Sequence, residues 1–179
     1  MSNVIIVGSG LGGLAAAVTA ATNGAQVTLL ERGERFGGAA AFSGGQVWVG
    51  ANHVAAAQGS DDDVDQTPRY IAELAAKEPS VFEPERSREW VESARQAAQW
   101  FDEQGVIEWT VIPDYPDYYH PDVEGSRPWG RYLTGAPFEG DRLGPWRSDL
   151  LEGPHFPVGM TYAEVFELGN LHLLAPTIL

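Results

Sequence analysis

Apolar and polar positions change rhythm twice along this chain. Near the amino end, Val4-Ile5-Ile6-Val7 is a short, wholly apolar run of β-branched residues, the pattern of a buried parallel strand. LAAAVTAATNG follows as a helix, with Gly24 at the position where a left-handed residue closes it. Gln26–Leu30 predicts a second strand, so the first fifty residues read as a βαβ start of the α/β class, with a parallel sheet. Residues 51–112 then read as a helical excursion leading to one strand. There Thr67 is expected to cap a helix through RYIAELAAK, with Pro68 at its first position. In ERSREWVESARQAAQWFDEQG, Trp90, Val91, Ala94, Ala98 and Phe101 recur at helical spacing, and Gly105 is the stop. That stripe reads as core rather than as cofactor contact. Val106–Ile112 predicts a strand, and 113–147 forms an aromatic, irregular region.

Length and composition narrow the class. The 179 residues fit one domain with a real core, and 44% hydrophobic residues with six tryptophans describe a globular chain. Without cysteine, disulfides, thiolate metal sites and cysteine nucleophiles are excluded. The net charge of −14 argues against nucleic acid, whose phosphates call for clustered Lys and Arg. MSNVIIVGSG lacks the basic region of a signal peptide, and no stretch approaches a transmembrane span, which makes the cytoplasm the default location. The acidic run DDDVD is no calcium loop, because Gln66 and Ala72 stand where an EF-hand needs glycine and glutamate; it reads as a solvated loop. His53, His120, His155 and His172 share no metal-ligand spacing, so no metal is expected.

The densest chemistry lies where the first strand ends. Gly8-Ser9-Gly10-Leu11-Gly12-Gly13 supplies G-x-G-x-x-G at Gly8, Gly10 and Gly13, with Leu11 and Gly12 opening the helix. Gly8 permits a tight turn, Gly10 lets backbone approach a diphosphate, and Gly13 lets helix and sheet pack closely. The helix N-terminus offers N–H groups and a positive dipole end to phosphates. Glu31, 23 residues after Gly8, suits ribose hydroxyls and would repel a 2′-phosphate. Strand, glycine turn, helix, strand and acid in that order point to dinucleotide binding. Beyond Glu31-Arg32 come Gly37-Gly38, Ala39, and Ser43-Gly44-Gly45, where an NAD domain would normally enter its next helix. Two further glycine pairs let backbone pass a bulky flat ligand, which favours FAD.

A second unusual stretch is DYPDYYHPDVEGSRPWGR, Asp114 to Arg131, too rich in proline for a helix and too aromatic for an ordinary loop. Either its rings fold back into a core or a phenol is presented to a ligand. Arg127 and Arg131 are expected to hold it by pairing with carboxylates.

Taken together, VIIVGSGLGGLAAA, the acid in LLERG and FGGAAAFSGGQVWVG resemble the FAD-dependent oxidoreductases that include fumarate reductase and succinate dehydrogenase flavoproteins. Within that group FGGAAAFSGGQVW and DYYHPDVEGSRPWGR are most similar to the 3-ketosteroid Δ1-dehydrogenases, over about residues 3 to 147. The resemblance implies a Rossmann-like FAD-binding domain with a helical insertion, cut before its remaining strands, so that residues 1–179 alone would be at best a weak flavin binder and inactive. It implies FAD held through Gly8, Gly10, Leu11, Gly12, Gly13, Glu31, Arg32, Gly37, Gly38, Ala39, Ser43, Gly44 and Gly45. The flavin would be non-covalent, since Gly38 stands where succinate dehydrogenases carry the histidine that links it. Tyr119 would be catalytic, assisting a second tyrosine that takes a proton from C2 of a 3-ketosteroid while hydride leaves C1 for flavin N5. The partners implied are a small apolar keto substrate and an external electron acceptor. A fumarate or enoate reductase, or a non-catalytic nucleotide-binding module, remains the alternative. The sequence departs from the pattern at Ala39 and Ala40, where hydroxyl residues are common, and at Gly50, where proline is common.

Overall fold

The computed structural model describes residues 2–76, 78–153 and 164. They form two compact units, residues 2–45 with 138–153, and residues 46–137. His155 and His172 lie outside the described residues.

The first unit is built on β1 (Asn3–Val7), α1 (Leu11–Thr22) and β2 (Gln26–Leu30). The strands pair in parallel from Asn3↔Gln26 to Val7↔Leu30, as the apolar runs predicted. α1 crosses between them, and it ends as expected at Gly24, whose φ of +81° is costly for any residue with a Cβ. Its small residues lie against the half-buried side of the sheet, Val4, Ile6, Val27 and Leu29. Within the described residues only one face of the first strand is covered. Ile5 and Val7 are 69% and 82% exposed, because α1 covers only one sheet face and alternate side chains point away from it. A 3₁₀ segment, Gly38–Phe42, and a kinked one, Gly140–Asp149, complete the unit, with Phe36 bridged to Leu150.

The second unit holds β3 (Val47–Trp48), α2 (His53–Ala57), α3 (Gln66–Ala75), α4 (Pro84–Glu103), β4 (Trp109–Val111) and β5 (Tyr132–Gly135). β5 is the centre of an antiparallel sheet in the order β3-β5-β4. Its Leu133, fully buried, joins Val49, Ala55, Ala98 and Val111 in the core, with Trp109 and Trp129 packed alongside. Burying a leucine of this kind stabilises by roughly 1.5–3 kcal/mol. Val91 and Ala98 of α4 are buried as the periodicity predicted, but Trp90 is half exposed. Among the described residues no helix is long and apolar enough to cross a membrane.

Three local expectations are corrected. α3 begins at Gln66 with Asp65 as its N-cap, so Thr67 lies inside its first turn, and Asp63 Oδ1, ahead of the cap, accepts Asp65 N–H and Gln66 N–H. The predicted strand over Val106–Ile112 is confined to Trp109–Val111, because Val106 and Ile107 donate to the Phe101 carbonyl and close α4. The acidic run is not wholly solvated, since the Asp62 side chain is 5% exposed.

Candidate functional site

In the first unit, the turn from β1 into α1 is lined by backbone. Gly8 has φ +95°, Gly37 +131° and Gly38 +55°, all in the region that favours glycine. A Cβ on Gly38 would stand 3.0 Å from the Gly10 Cα, so the Gly37–Gly38 loop packs directly on the glycine turn. A Cβ on Gly13 would overlap the Gly8 carbonyl, the close helix–strand approach expected for the third glycine. At Gly10 and Gly12, by contrast, a Cβ would meet no atom within 4 Å. The first turn of α1 carries no acidic side chain, so its unpaired N–H groups keep their positive end for a ligand. A side-chain-free cradle at a helix N-terminus fits the diphosphate of a dinucleotide.

Glu31 ends β2 beside this turn. Its Oε2 accepts the Ser9 N–H at 2.8 Å and the Ser9 hydroxyl at 2.5 Å, and its Oε1 accepts the Gly33 N–H at 2.8 Å. These bonds, Gly33 first and then Ser9, pull the carboxyl down to about 2, so it is ionised throughout the physiological range. Arg32 N–H adds a weaker contact to the same carboxylate. The fully buried Ser9 also accepts the Gly37 N–H on its Oγ at 3.0 Å, tying Glu31, the glycine turn and the second glycine loop together. Ser9 is an unassigned position of the glycine motif, and nothing in its spacing singled it out. Arg32, Ala39, Ser43 and Gly44 are exposed, and Ser43 Oγ accepts the Gly45 N–H at 3.1 Å.

The second unit carries an aromatic trough of about 630 Å³, bordered by Trp48, Tyr70, Trp90, Tyr118, Tyr119 and Tyr132. Trp90, the residue of the α4 stripe that is not core, stacks on Trp48 with ring centres 5.9 Å apart. Tyr118 and Tyr119 are 76% and 57% exposed, so the irregular loop does not spend them on a core; Trp129 fills that role. Burial, and then the charge of Asp117, raise the pKa of Tyr70. Burial, and then neighbouring Tyr118, raise that of Tyr132 further. Both therefore stay phenols, able to donate a hydrogen bond.

Under the trough lies a buried ionic network. Arg131, 1% exposed, donates from Nε and Nη2 to Asp62 at 2.9 and 2.7 Å, and from Nη1 to Asp117 at 2.8 Å. Its guanidinium also lies 5.5 Å from the ring centres of Trp48 and of Tyr70. Asp117 further accepts the Trp48 indole N–H at 2.7 Å and the Arg127 backbone N–H at 2.9 Å. Arg127 pairs with Asp61 and donates to Gln66 Oε1 at 3.1 Å. Both arginines thus hold the loop through carboxylates, as expected. Asp62 and Asp117 were not foreseen; the available signal was an acid directly preceding the tyrosine pair. At Gly50, a Cβ would overlap the Thr67 side chain, which explains why proline is absent there.

The described histidines show no metal arrangement. His53 Nε2 lies 2.7 Å from Asp102, and His120 Nδ1 3.2 Å from Ser126. Among the described residues no cluster of His, Asp and Glu could hold a metal ion.

Comparison with known proteins adds relatives to this geometry. The FAD binding domain family matches residues 3–163. A 3-oxosteroid 1-dehydrogenase of Mycolicibacterium smegmatis is 31% identical over 160 residues, covering 88% of this chain and 27% of that protein. A 4-oxocyclohex-2-ene-1-carboxylate 5-dehydrogenase of Sinomonas cyclohexanicum is 30% identical over 176 residues, 94% of this chain and 29% of the relative. The crystal structure of 3-ketosteroid Δ1-dehydrogenase from Sterolibacterium denitrificans, in complex with 1,4-androstadiene-3,17-dione, matches with a TM-score of 0.74 and 29% identity, over 86% of this chain and 27% of that one. The chain thus spans about a quarter of the length of the relatives it matches.

Proposed function

This chain belongs to the FAD binding domain family, and we propose that the complete protein dehydrogenates a carbon–carbon bond next to a ring ketone. The observation that carries this reading is the pair Tyr118–Tyr119, held exposed on an aromatic trough by a buried ionic network. Two relatives with different substrates support it, because both act on rings bearing an oxo group. A trough of about 630 Å³ falls within the range of small-molecule sites, roughly 300–1,000 Å³. Its aromatic walls suit a flat, apolar ring system such as a 3-ketosteroid.

In this reading the cradle of Gly8, Gly10, Leu11, Gly12 and Gly13 holds the diphosphate, Glu31 the ribose, and Arg32, Gly37, Gly38, Ala39, Ser43, Gly44 and Gly45 the remaining length. FAD, when bound, would supply a two-electron acceptor for a hydride from the carbon β to the ketone. The α carbon would lose a proton to a base, the electron pair left there would become the new double bond, and an external acceptor would take up the two electrons. Tyr119 is assigned to stabilise that base by hydrogen bonding. A phenol near pKa ~10 is a weak base alone, and a second phenol lowers the barrier by sharing developing charge.

The purified complete protein is expected to be yellow, to release its flavin on denaturation, and to reduce a dye with a 3-ketosteroid. Tyr119→Phe is expected to lower turnover about a hundredfold, within the range of acid–base assistance, and Tyr118→Phe far less. Turnover with fumarate and none with ketones would overturn the assignment.

A further inference from the structure

We propose that Asp117, held by Arg131, is a positioning residue that sets where the Tyr119 phenol stands; this rests on the function proposed above. The trough wall and the tyrosine loop meet at one carboxylate. Asp117 Oδ1 accepts the Trp48 indole, and its Oδ2 accepts Arg131 and the Arg127 backbone. Its own backbone N–H donates to the Arg127 carbonyl at 2.9 Å, and its carbonyl accepts the His120 N–H at 3.0 Å. A side chain two residues before Tyr119 is thereby locked to both the wall and the returning arm of the loop at Arg127.

Arg131 extends the lock. Its guanidinium grips Asp62 bidentately, and Asp62 also accepts the Ala51 N–H at 2.8 Å. The cluster holds two carboxylates against one guanidinium, all with side chains no more than 5% exposed. A buried ionic group of this kind adds little net stability against apolar packing, but it restricts the loop to one arrangement. Tyr118 meets the Tyr132 ring edge-on at 6.0 Å and the Tyr119 carbonyl accepts the Val123 N–H at 3.0 Å, but both side chains are largely exposed, so the placement of the Tyr119 phenol depends on the backbone that carries it.

A double-mutant cycle in the complete flavoprotein tests this. Asp117→Asn, Arg131→Lys and Tyr119→Phe are made singly and in pairs, and turnover of a 3-ketosteroid with an electron-accepting dye is followed with flavin content. Asp117→Asn is expected to lower kcat about ten- to hundredfold with KM within about twofold, the scale of a displaced catalytic group. In the Tyr119→Phe background the same change is expected to cost less than about twofold, because the phenol it positions is gone. Arg131→Lys, which keeps the charge and loses the fork, follows the same pattern should Asp117→Asn not fold. Losses that multiply in the double variants, or wild-type kcat in both single anchors, overturn the positioning role while Tyr119→Phe still reports on the function. Wild-type turnover in Tyr119→Phe overturns the role of Tyr119 and the positioning role with it, whereas no 3-ketosteroid turnover in the flavin-loaded wild type overturns the function.

Discussion

The Ser9 hydroxyl donates to Glu31 at 2.5 Å while the backbone N–H of the same residue donates to the same carboxylate oxygen at 2.8 Å. One small side chain thus links the glycine turn to the acid 22 positions later, and its Oγ receives Gly37 N–H from a third segment. The cradle proposed for the dinucleotide is therefore a hydrogen-bonded assembly of three loops rather than a single glycine turn.

Ser9→Ala removes that hydroxyl without adding bulk. Two buried or half-buried hydrogen bonds are lost, each worth about 1 kcal/mol. FAD affinity of the complete protein is expected to fall about tenfold, as read by flavin fluorescence in a titration of apoprotein. Unchanged affinity would mean that the turn keeps its shape without Ser9.

Gly10→Ala and Gly13→Ala separate ligand space from packing space. Alanine at Gly13 meets the Gly8 carbonyl and is expected to destabilise by about 1–3 kcal/mol or more, lowering Tm even without flavin. Alanine at Gly10, where φ is −72° and no protein atom lies within 4 Å of the added carbon, is expected to leave the apoprotein Tm unchanged. It should weaken FAD by a factor on the order of ten or more by occupying the diphosphate's space. Equal Tm losses for the two would contradict the cradle.

Glu31 has a folded-state pKa of about 2, depressed from 4.5. The contribution of its charge is therefore fully present above about 4.5 and is lost only as pH falls through about 2. The ratio of FAD affinities between wild type and Glu31→Gln is expected to stay constant over about pH 5 to 8. A ratio that titrates near neutrality would show that Glu31 is not the ionised group described here.

Arg131→Met leaves Asp62 and Asp117 buried without their cation. Breaking a buried pair in this way costs about 3–5 kcal/mol, measurable as a lower urea midpoint. Adding Asp62→Asn and Asp117→Asn to Arg131→Met is expected to recover part of that loss, since no buried charge then stands uncompensated. A triple variant less stable than Arg131→Met would argue that each side chain acts independently.

The sequence by itself determined the βαβ start, the glycine turn and the end of α1, because the conformational demands of glycine and the periodicity of strand and helix are local. Contiguous motifs carry them, and Gly8, Gly24 and the parallel pair of strands appear where the pattern placed them. It also marked the tyrosine loop as unusual, without deciding between a core plug and a displayed phenol. Only the tertiary structure decided that Trp129 packs against the core and the tyrosine pair is exposed. The same holds for Asp62 and Arg131, which lie 69 residues apart, and for Ile5 and Val7, which are apolar yet exposed. Which acid in DDDVD is buried, and which face of a strand is covered, depend on what packs there. No local pattern encodes that choice, since a charge finds its partner only after the chain has closed the loops between them.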